Sequence, residues 1–407
     1  MPKLTRTITA SLCVLFALLT HAAEPAKASS KFDAAIVPAM QKLVDDGVIS
    51  GAVTLVADAD ELLSFRAVGS ADIAGKKPMQ KDSLFWIASM TKPITGVAVL
   101  ILQDEGRLNV GDPVEKYLPE FKGLWMIKDQ GTNSRTIAPS PRPITIRDLL
   151  THTSGLGDVP SPRFDSTLAE LVMAYSQQPL HFAPGTKWEY CNSGINTLGR
   201  IVEVVSGRSY AVFLQEHILT PLGMRDTTFW PTPEQAKRIA KSYKPASDGK
   251  GLEETEIYFI KGGLSDHRRT AFPAGGLFST ARDMAIFYQM MLNGGIYKGR
   301  RIVAENSANA MTRTQTGEIK TGFVEGMSWG FGFQVVRKPM GVTAMLPGGT
   351  FGHGGAYATQ SWGDPLHRRI MILMIQRAGF PNGDDSEARR SFQQAVYSAA
   401  EERVKSR

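Results

Sequence analysis

The stretch Ile370-Met371-Ile372-Leu373-Met374-Ile375 contains no polar residue. A strand that is apolar on both faces has to be covered on both, so this run predicts a central strand close to the C-terminus. Trp329–Val336 and Phe351–Trp362 read as two more strands before it, separated by turns at Lys338–Gly341 and Gly363-Asp364-Pro365. Ser386–Val404 has the pattern of an amphipathic helix. At the other end of the chain, Phe32, Ile36, Met40, Leu43 and Val44 recur at helical spacing up to Gly47. Ala52–Ala57 and Leu62–Val68 then read as a strand pair around a turn at Asp58–Glu61. A helix and two strands at the start, with three strands and a helix at the end, predict one antiparallel sheet built from both termini with flanking helices. The fold class is α+β. Residues 31–108 and 267–407 form the sheet domain, and residues 109–266 an inserted, mainly helical domain. A cleft between two such units is a natural place for a site.

The middle of the chain supports the insertion. Thr145 can cap a helix carrying Ile146, Leu149 and Leu150, which ends at His152-Thr153-Ser154-Gly155. Another helix is expected over Leu168–Tyr175 and a third after Tyr190. Ala281–Leu292 is expected to be helical once the sheet domain resumes. The segment Gly123–Pro143 lacks periodicity and predicts a long loop that could border a site.

Composition narrows the class. With 407 residues, 43% of them hydrophobic, the chain can bury a large core. Lys3 and Arg6, the apolar run Ile8–Leu19 and the small residues Ala22 and Ala23 have the layout of a signal peptide. Residues 1–22 are assigned to it and residues 23–30 to a linker. The run is too short to span a membrane, and the protein is expected in the periplasm or outside the cell. Cys191 would be the one cysteine left, so no internal disulfide is expected. The net charge of +7 becomes +5 without Lys3 and Arg6, and no basic run interleaved with aromatics suggests nucleic acid as a partner.

The chemistry is expected at Phe85-Trp86-Ile87-Ala88-Ser89-Met90-Thr91-Lys92-Pro93. A Lys three residues after a Ser at the start of a helix lies on the same face, so its amine can take the hydroxyl proton. Ile94–Leu102, apolar on nearly every side, predicts a helix buried all round. Ser-x-x-Lys recurs at Ser247-Asp248-Gly249-Lys250, but there the composition is that of a turn. No Gly-x-Ser-x-Gly elbow, no His-Glu-x-x-His and no phosphate-binding Gly-rich loop occurs, so no metal or cofactor is expected. Tyr190-Cys191-Asn192 follows a Pro-Gly turn. A phenol beside a lysine ammonium has its phenolate stabilised and can act as a base. Asn192, two residues on in an extended stretch, would face the same side and could hold a substrate carbonyl or the lysine amine. The plainer alternative is a packed Tyr190 with Asn192 capping the next helix. Two stretches compete for the third wall: Lys320-Thr321-Gly322, without strand context, and His353-Gly354-Gly355, beside the buried strand, where Gly allows close approach and His353 can donate a hydrogen bond. The strand context favours His353.

As a set, Ser89-Met90-Thr91-Lys92, Leu149-Leu150-Thr151-His152-Thr153-Ser154-Gly155-Leu156, Tyr190-Cys191-Asn192-Ser193-Gly194, Gly275-Gly276-Leu277-Phe278-Ser279-Thr280 and His353-Gly354-Gly355 resemble the serine β-lactamase-like family. The resemblance is to the branch holding class C β-lactamases, carboxylesterases and D-amino-acid-specific peptidases, and it runs from about Phe32 to the C-terminal helix. It implies an acyl-enzyme on Ser89, with Lys92 and Tyr190 sharing the base and acid roles and Asn192 binding substrate. It further implies an oxyanion held by the N–H groups of Ser89 and Ala356, the latter following His353, Gly354 and Gly355. Class C enzymes carry Lys where this chain has His353, a group only partly charged near neutral pH. That difference shifts the expected substrates from β-lactams toward small-molecule esters, amides or D-peptides. Cys191 is expected to be a small buried thiol rather than a nucleophile, and His152 to end a helix and pack locally. The competing function is a penicillin-trapping sensor of the same fold, which would not need Tyr190.

Overall fold

A computed structural model describes residues 31–405, apart from residues 133, 162 and 259. The expected signal peptide and linker lie outside the described residues.

The main sheet has eight antiparallel strands: β1 (Gly51–Asp58), β2 (Leu62–Asp72), β3 (Lys77–Pro78), β4 (Met327–Trp329), β5 (Gln334–Val336), β6 (Phe351–Gly354), β7 (Gln360–Asp364) and β8 (Arg369–Met374). Their spatial order is β4-β5-β6-β7-β8-β1-β2-β3, so the two ends of the chain meet where Val53 pairs with Met374 and Ala57 with Ile370. Strand β8 is central, and its side chains sort by parity as a strand's must. Ile370, Ile372 and Met374 join Val53 and Leu55 in one core, whereas Met371 and Leu373 join Ala52 and Val56 in another. The second core is closed by helix α1 (Lys31–Asp45) packing on the C-terminal helix Glu387–Lys405. The first core takes α2 (Thr91–Asp104), which is buried from Thr91 to Leu102, and Ala281–Leu292. It continues without a break into the helical segment through α3 (Ile146–Leu150), α4 (Leu168–Ser176) and α5 (Asn192–Ser206). Thr145 caps α3 in a reciprocal pair with Asp148, as its position before an apolar run suggested. Among the described residues no helix is long and apolar enough to cross a membrane.

Three expectations need correction. Trp329–Val336 and Phe351–Trp362 are each two strands, divided by Gly330-Phe331-Gly332 and by the turn 355–359, so five strands rather than three end the chain. The segment Gly123–Pro143 is a hairpin, Trp125–Gln130 with Arg135–Pro139. Its residues are mostly exposed, so no buried face imposes a period on the sequence. Asn192 is the first residue of α5, not part of an extended stretch, and Cys191 rather than Asn192 caps it. The second Ser-x-x-Lys lies in the exposed turn between Ser242–Pro245 and Leu252–Thr255.

Candidate active site

A sharp backbone turn presents Ser89. The short strand Phe85–Trp86 pairs with Phe278–Ser279, and its position is fixed by Trp86 Nε1 donating to the Gly275 carbonyl at 2.7 Å. Ala88 then adopts φ +45°, a left-handed conformation uncommon outside glycine, before a single 3-10 turn leads into α2. This reversal leaves Ser89 partly exposed while Lys92, one turn on, is fully buried.

The Lys92 amine is surrounded by three oxygens. Its Nζ lies 3.0 Å from Ser89 Oγ, 2.8 Å from Asn192 Oδ1 and 2.6 Å from the Ala274 carbonyl. Burial pulls its pKa down from the ordinary value to about 7, against the opposing pull of the Asp158 carboxylate. The amine also stands 4.6 Å from the centre of the Tyr190 ring.

Asn192 is oriented by Asp158. This carboxylate accepts the Asn192 backbone N–H at 2.6 Å, the Asn192 Nδ2 at 2.7 Å and the Ser193 N–H at 2.9 Å. With its amide nitrogen so engaged, Asn192 can only offer oxygen to Lys92, one of the two uses expected of it. Asp158 was absent from the sequence-derived residues. Its one signal was an acid three residues after a helix-ending Gly155, which does not announce that it satisfies the N-terminus of a different helix.

Tyr190 differs from expectation in its ionisation. Burial pushes its phenol well above the ordinary value, and the adjacent Ser89 hydroxyl only partly offsets this, so it is a neutral phenol rather than a lysine-stabilised phenolate. His353 differs too. Burial, then the nearby Lys92, lower its pKa to about 4, so it is neutral at pH 7 and not partly charged. Its Nδ1 lies 2.6 Å from the Gly354 carbonyl, which fixes the proton there and leaves Nε2 as a buried acceptor without a hydrogen-bond partner among the described residues. The donor of this ring is thus taken up by the Gly354 carbonyl.

The glycines after His353 are required by close approach. A Cβ on Gly355 would stand 2.1 Å from Thr359 Oγ1 and 2.7 Å from the Ile87 carbonyl, and one on Gly354 2.3 Å from Asp384 Oδ1. Only glycine lets the end of β6 lie against the Ser89 turn. Ala356, just beyond, is exposed, and among the described residues no loop hydrogen bond is donated by its N–H.

Ser89, Tyr190, Asn192, His353, Gly355 and Ala356 line one cleft of about 270 Å³, with Lys92 beneath it. Lys320 is exposed and outside the lining, although Phe323 of the same loop contributes to it. Among the described residues no Lys or Arg lines the cleft. Cys191 is buried, accepts the Gly194 N–H at 3.3 Å, and burial pushes its thiol well above the ordinary value, which suits a packed residue and not a nucleophile. Trp86, from the stretch that carries Ser89, and Tyr258, Phe323 and Asp384, which the sequence did not point to, also line the cleft. A second cavity of about 760 Å³, lined by more apolar than polar surface, shares Asn192 and Tyr258 with the cleft.

Comparison with known proteins places the chain in a family. The family model described as "Beta-lactamase" matches residues 33–395. Protein Rv1367c of Mycobacterium tuberculosis (strain ATCC 25618 / H37Rv) is 32% identical over 363 residues, covering 83% of this chain and 88% of the relative. Esterase EstB of Burkholderia gladioli is 30% identical over 384 residues, covering 85% and 90%. The solved structure of "EstCE1, a hydrolase with promiscuous acyltransferase activity" superposes with a TM-score of 0.74 at 22% identity, covering 90% of this chain and 98% of that one. The fold, the matched span and these relatives agree: the chain belongs to the β-lactamase family of serine hydrolases.

Proposed function

We propose that this protein is an exported serine hydrolase that forms an acyl-enzyme on Ser89 and hydrolyses uncharged substrates, esters before amides or D-peptides. The observation that carries this reading is the set of three oxygens around Lys92 Nζ. A neutral amine has two hydrogens and one lone pair. Asn192 Oδ1 and the Ala274 carbonyl can only accept, so they take the two hydrogens, and the lone pair is left for the hydroxyl proton of Ser89. With a pKa of about 7, half of the molecules hold this form near neutral pH.

Ser89 Oγ attacks the substrate carbonyl carbon as its proton passes to Lys92 Nζ. The carbonyl oxygen, now carrying the charge, is received by the N–H groups of Ser89 and Ala356. Collapse breaks the bond to the leaving group. That group takes the Tyr190 phenol proton, which Lys92 replaces, so Tyr190 relays a proton without being a standing phenolate. Water then attacks the acyl-enzyme with its proton moving back along Tyr190 and Lys92, and Ser89 is released. An ester preference is supported by the cleft around Ser89, which among the described residues no Lys or Arg lines, by neutral His353, and by the relative named an esterase. In this reading residues 109–266 and the remainder act as two units, since Tyr190, Asn192 and Tyr258 come from one and Ser89, His353 and Ala356 from the other.

The test is a panel of chromogenic esters, β-lactams and D-amino-acid peptides run on wild type and Ser89→Ala. Steady turnover of esters by wild type, with a loss of at least about 10³-fold in the variant, is expected. Variant activity within tenfold of wild type would discard Ser89, and a single burst without turnover would identify an acyl-trapping protein instead.

A further inference from the structure

We propose that His152 is the positioning residue for Tyr190, a role that rests on the proton-relay reading of Tyr190 above. Three independent contacts from His152 converge on this tyrosine. Its backbone carbonyl accepts the Glu189 N–H at 3.0 Å. Its Nδ1 accepts the Cys191 N–H at 3.1 Å. Between these two hydrogen bonds, its ring packs on the Tyr190 ring with centroids 4.5 Å apart and planes 33° apart. The residues on either side of Tyr190 are thus tied to one histidine, and the tyrosine ring rests on that histidine's ring.

The clamp is rigid. His152 is 1% exposed, and Trp329 packs edge-on against it with centroids 5.0 Å apart. Its backbone has φ +59°, a conformation that costs a side-chain-bearing residue free energy and persists only when its surroundings impose it. Glycine or asparagine would adopt this φ more readily; asparagine could still supply an acceptor for the Cys191 N–H, and glycine supplies neither acceptor nor ring. The contact to Cys191 N–H requires an unprotonated Nδ1, and burial together with nearby Lys92 and His353 keeps the ring neutral. His152 touches none of the reacting atoms and acts through Tyr190.

The experiment compares His152→Phe and His152→Asn with wild type in ester hydrolysis, each alone and combined with Tyr190→Phe. Phe keeps the ring but loses the acceptor. Asn loses the ring, tolerates the left-handed backbone and can place Oδ1 where Nδ1 sits. His152→Phe is expected to lower kcat roughly 10- to 100-fold with KM nearly unchanged, the scale of a misplaced reacting group. His152→Asn should recover to within about fivefold of wild type, and in the Tyr190→Phe background His152→Phe should cost less than about threefold more. Equal losses with and without Tyr190, or an Asn variant as poor as Phe, would overturn the proposal. Should His152→Phe fail to fold, amide exchange at Cys191 in His152→Asn and His152→Gln takes its place. Protection kept in Asn and lost in Gln supports the clamp, and the same protection in both overturns it. Full activity of Tyr190→Phe alone would instead remove the relay role of Tyr190, while the exchange data would still report the clamp.

Discussion

Lys92 holds a pKa of about 7 because it is buried, and only its unprotonated form can take the Ser89 proton. Below pH 7, kcat/KM should therefore fall about tenfold per pH unit. Above that it should stay level, since Tyr190 ionises only well above its ordinary value. A profile flat from pH 5 to 8 would remove Lys92 as the base. His353 gives a different pH dependence, one of stability. Its folded pKa of about 4 lies below its ordinary value of 6.5, so the unfolded chain binds the proton first as pH falls. Stability is unaffected above about pH 6.5 and declines toward pH 4, by at most about 3 kcal/mol. Urea unfolding of wild type and His353→Gln at pH 7 and pH 4 tests this, because the variant should lose less; parallel losses would refute it.

The elements that meet at the cleft are held there by backbone geometry as much as by side chains. Ala88, His152 and Ala358 all have positive φ, and each lies next to a proposed site residue or behind one. Gly355→Ala should push the end of β6 away from the Ile87 carbonyl and lower kcat by roughly 100-fold, with less effect on thermal stability than on activity. A stopped-flow measurement of acylation would show the loss in that step. This geometry also marks how far the sequence could be read. Helix α2, the cap at Thr145 and the central place of β8 were legible because one-dimensional periodicity and capping are local properties. Ser89, Lys92, Tyr190 and His353 could be selected from residue type and neighbours. Asp158 could not, since its partner lies on a helix that starts 34 residues later. Nor could the ionisation of Tyr190 and His353, which is decided by burial, or the exposed hairpin after Gly123.

At the scale of the whole molecule, a 760 Å³ cavity adjoins the cleft through Asn192 and Tyr258; its lining is mostly apolar but includes Arg163, Lys261 and Arg269, and the two together offer more room than an acetyl ester needs. Esters bearing a bulky apolar group should have a higher kcat/KM than acetates. Replacing Ile260, a lining residue of the larger cavity, by Trp should remove that advantage at least tenfold and leave acetate hydrolysis within about twofold. If both substrates decline together, the cavity is not part of the substrate site.

The pairing of β1 with β8 also governs when this protein can fold. Val53 has no central partner until Met374, more than 300 positions later, has been synthesised. Until then β1 is paired on one side only, with β2, and the core it shares with Ile370, Ile372 and Met374 is incomplete; such distant pairings make folding slow. The sheet cannot close before β8 is present, and a version ending before β8 should be protease-sensitive. A sheet sewn together from its two ends thus delays the closing of its centre until one of its last strands has emerged.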